Sequence, residues 1–77
     1  MNARFPDSNQ LAKLFGVTRR EFHREIKPFI VADSKSLLDE YNIANPDIGI
    51  DSKQTIYLRS SDQTTIIETD LTIQDYL

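Results

Sequence analysis

The spacing of apolar residues changes its period once along this chain, at Asn45-Pro46-Asp47, and that change governs what the chain can build. Before it, apolar residues recur three and four apart: Leu11, Leu14 and Phe15, then Phe22 and Ile26, then Leu37, Leu38 and Tyr41. Such spacing lays one apolar stripe along a helix. After it, Ile48 and Ile50 alternate with Gly49 and Asp51, Ile56 and Leu58 with Tyr57 and Arg59, and Thr65, Ile67 and Thr69 with Ile66 and Glu68. A period of two marks strands with one buried face. The polar clusters 51–54 and 60–63 are of hairpin length, so the three strands run antiparallel as a meander. The expected fold is α+β: two to three N-terminal helices packed on one face of a three-stranded antiparallel β-meander, with a short C-terminal helical turn. With 77 residues, one small domain spanning 1–77 is all the chain can build.

Helix boundaries are legible in the punctuation. Asp7 or Ser8 can cap a first helix running roughly over 9–15, and Gly16 stands where a left-handed residue ends such a helix. Thr18 with Glu21 reads as a capping box, with Val17 and Phe22 as its hydrophobic staple. That second helix is not expected to continue unperturbed past Lys27. Pro28 has no N–H to give to Arg24, and it disfavours helical geometry in the residue before it. Phe29, Ile30 and Val31 then read as a buried patch, and Asp33 or Ser34 as the start of a short third helix ending near Asn42. Thr72 and Asp75 repeat the capping pattern at the tail, flanked by Leu71 and Tyr76.

Composition excludes several classes of function. There is no cysteine and only one histidine, so disulfides, thiolate zinc sites and histidine-rich metal sites are ruled out, and no metal or other cofactor is expected. No Gly-rich phosphate loop, His-Glu-x-x-His motif or nucleophile elbow occurs. The first residues, Met-Asn-Ala-Arg-Phe-Pro-Asp, contain no apolar run suited to a signal sequence, and no later stretch is long enough to span a bilayer. A cytoplasmic location and no membrane partner are the default expectations. The oligomeric state is left open.

Charge is unevenly spread. The net charge is −3, yet residues 1–30 carry six Lys and Arg against three carboxylates, while residues 31–77 carry three against nine. Helical periodicity gathers Arg19, Arg20, His23, Arg24 and Lys27 opposite Phe22 and Ile26, giving a cationic ridge on an acidic protein. Its expected ligand is an anion, most commonly a phosphate, and Arg19, Arg20, Arg24 and Lys27 are the candidate nucleic-acid contacts. A solvated charged face would read the same way.

His23 with Lys27 one turn later supplies a minimal kit for cleaving RNA without metal. An imidazole can move protons near neutral pH, and flanking cations can stabilise charge developing on a phosphoryl oxygen. Residues 11–26 also resemble the helix-turn-helix of DNA-binding proteins: Ala12 lies four before Gly16, and Phe22 six after it. The next core position of that motif falls on Glu25, whereas the apolar residue is Ile26.

A longer resemblance runs through His23-x-x-x-Lys27-Pro28, Asn45-Pro46-Asp47-Ile48-Gly49-Ile50-Asp51, Ile56-Tyr57-Leu58-Arg59, Thr69-x-Leu71 and Asp75-Tyr76. Together these resemble the C-terminal toxin domains of bacterial polymorphic and contact-dependent toxins, many of which look like metal-independent ribonucleases of the barnase and colicin type. The resemblance implies RNA as substrate and an immunity-type protein as partner. It implies His23 for proton transfer, Lys27 and Arg59 for phosphate stabilisation, and Asp47 for orienting its loop. The chain departs from that pattern in having Lys53-Gln54 at its first hairpin, which suggests a longer, looser turn. Its own initial methionine fits a free-standing protein or an inactive remnant of such a tip. Asn-Pro and Pro-Asp also punctuate entry into a sheet in any protein. Two other functions stay open beside the toxin reading: a non-catalytic helix-turn-helix-like DNA-binding or regulatory module, and a protein-interaction domain.

Overall fold

Asp7 starts the first helix by accepting the Gln10 N–H on its Oδ1 at 2.9 Å. In the computed structural model, which describes residues 3–77, this helix is α1, Ser8–Leu14. Met1 and Asn2, which open the stretch read above for a signal sequence, lie outside the described residues. Gly16 adopts φ +71°, and the Val17 N–H reaches back to the Ala12 carbonyl at 3.0 Å, so the chain reverses there.

From Arg19 the chain stays helical to Asp33, through α2 (Arg19–Glu21), a π-helical segment (Phe22–Ile26) and α3 (Lys27–Asp33). The perturbation expected near Pro28 is therefore a π segment, and the helix continues beyond it. In that segment the Lys27 N–H bonds the Phe22 carbonyl, five residues back. Lys27 is itself helical, at φ −57° and ψ −44°, and the departure from ideal geometry falls on Ile26, at φ −103° and ψ −59°. Pro28 sits in the first turn of α3, and its missing N–H is one bond that the continuous helix goes without.

The π segment answers a mismatch in spacing. Phe22, Ile26 and Ile30 are all buried and stand four apart. At 3.6 residues per turn each step of four overshoots by about 40°, so a straight α-helix would spread the three over about 80° of its surface. A locally wider turn holds Phe22 and Ile26 on the core. The neighbours of Ile30 do not form the expected buried patch. Phe29 is 59% exposed and Val31 only partly covered, because they project from other sides of the same helix. A short helix α4 (Lys35–Glu40) follows; Leu38 is buried, whereas Tyr41, expected to point inward, is 48% exposed. Asn42 ends this arm at φ +57°.

Strands β1 (Asp47–Ile50), β2 (Thr55–Arg59) and β3 (Ile66–Thr72) form an antiparallel sheet in the order β1-β2-β3. Ile48, Ile50, Ile56, Leu58 and Ile67 meet Leu11, Phe15, Phe22, Ile26, Ile30 and Leu38 in one core. The first hairpin is longer than a two-residue turn, as its sequence suggests, but it is braced and not loose. Asp51 Oδ1 accepts the N–H groups of Lys53 and Thr55, both at 2.9 Å, and Gln54 takes φ +66°. The C-terminal 3₁₀ turn (Ile73–Tyr76) carries the expected capping box of Thr72 and Asp75.

The face of the sheet away from the helices is also partly covered. Arg4 exchanges two backbone hydrogen bonds with Ile50, at 2.9 and 2.8 Å, which lays Phe5 over Gly49. A β-carbon at Gly49 would stand 2.5 Å from the Phe5 ring and 2.8 Å from the Arg4 carbonyl oxygen. Tyr57, opposite Gly49, is 5% exposed, and its hydroxyl lies 3.1 Å from Asp51 Oδ2 and 3.2 Å from Glu68 Oε1. Burial first, then the two carboxylates, push its pKa from 10 up to about 12.

Gly49→Ala is expected to cost about 1–3 kcal/mol in urea denaturation. Combined with Phe5→Ala it should cost less than the sum of the two single changes, since the ring's share of the clash is then relieved. The raised Tyr57 pKa contributes stability that is full below pH 10 and is lost as pH rises through about 12. Tyr57→Phe should therefore flatten the alkaline limb of a stability–pH curve, leaving the part due to Tyr76, which its own burial and its bond to Asp33 also push up.

Candidate nucleic-acid interface

The ridge begins at Thr18, whose Oγ1 accepts the Glu21 N–H at 3.1 Å. The reciprocal half of the expected capping box runs from the Thr18 hydroxyl, not its N–H, to Glu21 Oε1 at 3.3 Å. Val17 and Phe22 both pack against the core, as a staple would. Arg19, Arg20, His23 and Arg24 are exposed and Lys27 is half-buried. Among the described residues only two ion pairs form, Lys35 with Asp39 and Arg59 with Asp47. The ridge cations are thus left to solvent and to whatever binds there. The His23 ring stands edge-on to buried Phe22, centroids 5.7 Å apart, which ties the imidazole to the core.

Lys27 links the ridge to a cleft of about 250 Å³ between the start of α1, the π segment and the ends of β1 and β2. Its lining includes Phe5, Asp7, Phe22, Lys27, Asp47 and Arg59. Three of the four residues singled out for catalysis thus share one cleft. The fourth, His23, is not part of that lining and belongs to the exposed ridge.

Arg59 is held on two sides. Asp47, its partner across the β1–β2 ladder, accepts from Nη2 at 3.1 Å and from Nε at 3.3 Å, both on Oδ2. The guanidinium carbon sits 4.3 Å from the centre of the Phe5 ring, within cation–π range. The arrangement begins at Gly49, which lets Phe5 approach; Phe5 then supports Arg59, and Asp47 fixes its direction. Asp47 therefore orients a side chain; the loop-orienting role is what the resemblance implies for it. Lys27 has no carboxylate within ion-pair distance among the described residues, so it is the unneutralised cation of the cleft.

Phe5 is the residue that sequence reasoning misses, and its signal is Gly49: a glycine between two buried isoleucines in a strand marks a close backbone or side-chain approach. Asp7 reads in the sequence only as a helix cap, and it also lines the cleft. Among the described residues no three His, Cys, Asp or Glu side chains are grouped to hold a metal ion, and no helix is long and apolar enough to cross a membrane. Comparison with known families, with curated proteins and with solved structures finds no match to this chain.

The Arg59–Asp47 pair is partly solvated, with side-chain exposures of 23% and 45%. Asp47→Ala is accordingly expected to cost no more than about 1 kcal/mol in thermal unfolding, because a screened pair contributes little net stability. Phe5→Ala should cost more, since it uncovers both Gly49 and the Arg59 guanidinium.

Proposed function

We propose that this chain is a small nucleic-acid-binding domain of the polymorphic-toxin type whose ligand is RNA, held through its phosphates by Arg19, Arg20, Arg24 and Lys27. One observation carries this reading. In a protein of net charge −3, the cations of one helix face stay free of carboxylates among the described residues, although the chain has twelve to offer. Unpaired cations on a rigid face gain by displacing the counterions of a phosphate backbone. Lys27 and Arg59 extend that face into the cleft, where a phosphate entering from the ridge meets one free cation and one already aimed by Asp47.

Cleavage is a further step on the same surface. His23 is exposed beside the ridge cations, where it can take a proton from a ribose hydroxyl while Lys27 stabilises the phosphoryl charge. A helix-turn-helix reading draws on the α1–α2 reversal at Gly16, and it gives duplex DNA as the ligand.

Fluorescence anisotropy with single-stranded RNA and duplex DNA separates these. Arg20→Ala/Arg24→Ala is expected to weaken RNA binding at least tenfold at low salt. It should also lower the slope of log K against log salt by roughly 1.4, about 0.7 per lost phosphate contact. Tighter binding of duplex DNA would support the helix-turn-helix alternative, and no binding of either at low salt would refute both. RNA turnover lost in His23→Ala and Lys27→Ala, with the circular dichroism spectrum unchanged, would add the ribonuclease activity.

A further inference from the structure

The two edges of the sheet are treated differently, and the difference points to a partner. At β1 the edge is met by the chain itself at one point, through the paired bonds between Arg4 and Ile50. At β3 no strand of the described residues follows. The Ser60 N–H bonds the Thr65 carbonyl at 2.9 Å, so 60 and 65 are a bonded pair and alternation makes Leu58 and Ile67 the next. The backbone N–H and C=O groups of Ile66 and Glu68 therefore point away from β2, along an open edge.

Lys and Pro, two of the usual protections, are missing there. Natural edges are blunted by Lys, by Pro or by a bulge. The strand Ile66–Thr72 contains no Lys, Arg or Pro. It has an irregularity, but beyond Glu68 only. There the Thr69 hydroxyl donates to the Ile56 carbonyl at 2.7 Å and accepts the Leu71 N–H at 3.1 Å, so the shift in register is satisfied internally. The stretch 66–68 stays regular and open. Ile66 is 42% exposed beside it, and the side chains of Glu68 and Asp70 face solvent. The Tyr57 hydroxyl, 3.2 Å from Glu68 Oε1, holds that carboxylate close to the strand.

We infer that this edge takes an extended, basic segment of a partner protein as a fourth strand. Main-chain hydrogen bonds to Ile66 and Glu68 supply the attachment, and Lys or Arg at alternate positions of the incoming strand meets Glu68 and Asp70. A second copy of this chain fits poorly. Pairing β3 with β3 brings acidic rows together, and like charges across a ladder repel. The inference does not depend on nucleic-acid binding, since the ridge is on another element.

The test uses the full chain and a peptide of alternating Lys and Val. Two controls accompany it: the same peptide with Glu for Lys, and the Lys/Val peptide with alternate backbone nitrogens methylated. Amide hydrogen exchange and amide chemical shifts are read residue by residue. The basic peptide should slow exchange at Ile66 and Glu68 by roughly tenfold, and both controls should leave it unchanged. Glu68→Gln/Asp70→Asn should weaken binding several-fold with the fold intact, since the amide oxygen introduced at position 68 can still accept from the Tyr57 hydroxyl. Equal binding of the methylated peptide would reduce the contact to diffuse charge attraction and overturn the inference. Protection of Ile66 and Glu68 by self-association without peptide would overturn it too.

Discussion

One backbone hydrogen bond, from Lys27 N–H to the carbonyl of Phe22, fixes the geometry of the amino-terminal half. By spanning five residues it absorbs the mismatch between apolar positions four apart and a helix that turns in 3.6. Phe22 and Ile26 both lie in the core formed with Ile48, Ile50, Ile56 and Leu58. The same bond delivers the chain to Pro28 at the start of a fresh α-helical turn and leaves Lys27 at the mouth of the cleft. Packing, proline and the candidate site therefore meet at one irregular turn.

Charge follows from that placement. The chain is acidic, yet most of its carboxylates are spread over turns, caps and the sheet, where many accept local hydrogen bonds. Asp7 and Asp75 cap helical turns, and Asp51 and Asp62 brace the two hairpins. Asp62, bonded first by the Ser60 hydroxyl and then by the Thr64 hydroxyl and N–H, is held down at about 2. Carboxylates occupied in this way do not reach across to the ridge, so an acidic protein keeps a free cationic face. Arg59, away from the ridge, is paired because strand register places it directly opposite Asp47.

The α+β fold is legible in the sequence because its signals are local. The change of period at Asn45-Pro46-Asp47, the left-handed Gly16 and the capping pairs Thr18/Glu21 and Thr72/Asp75 each act within a few residues. The π segment is foreshadowed twice, by Pro28 and by an apolar residue at Ile26 where the helix-turn-helix pattern wants one at Glu25. An extra residue in that turn explains both, but no α-helical template contains it. Phe29 departs from its expected burial because a continuing helix, and not a break, sets its direction, whereas Tyr41 stands at the C-cap of α4, past its last turn. In the candidate site, Lys27, Asp47 and Arg59 can be named from the sequence but not assembled. Their meeting depends on Phe5, which reaches the sheet through a single bridge at Arg4 and is seated by the absence of a side chain at Gly49.

The most direct measurement is the scalar coupling transmitted through hydrogen bonds in solution NMR, which identifies the carbonyl that accepts each amide proton. The Lys27 amide is expected to correlate with the carbonyl carbon of Phe22. Correlation with His23 instead would mean an ordinary α-helical turn, and the shared origin of the core packing, the free ridge and the position of Lys27 would be contradicted.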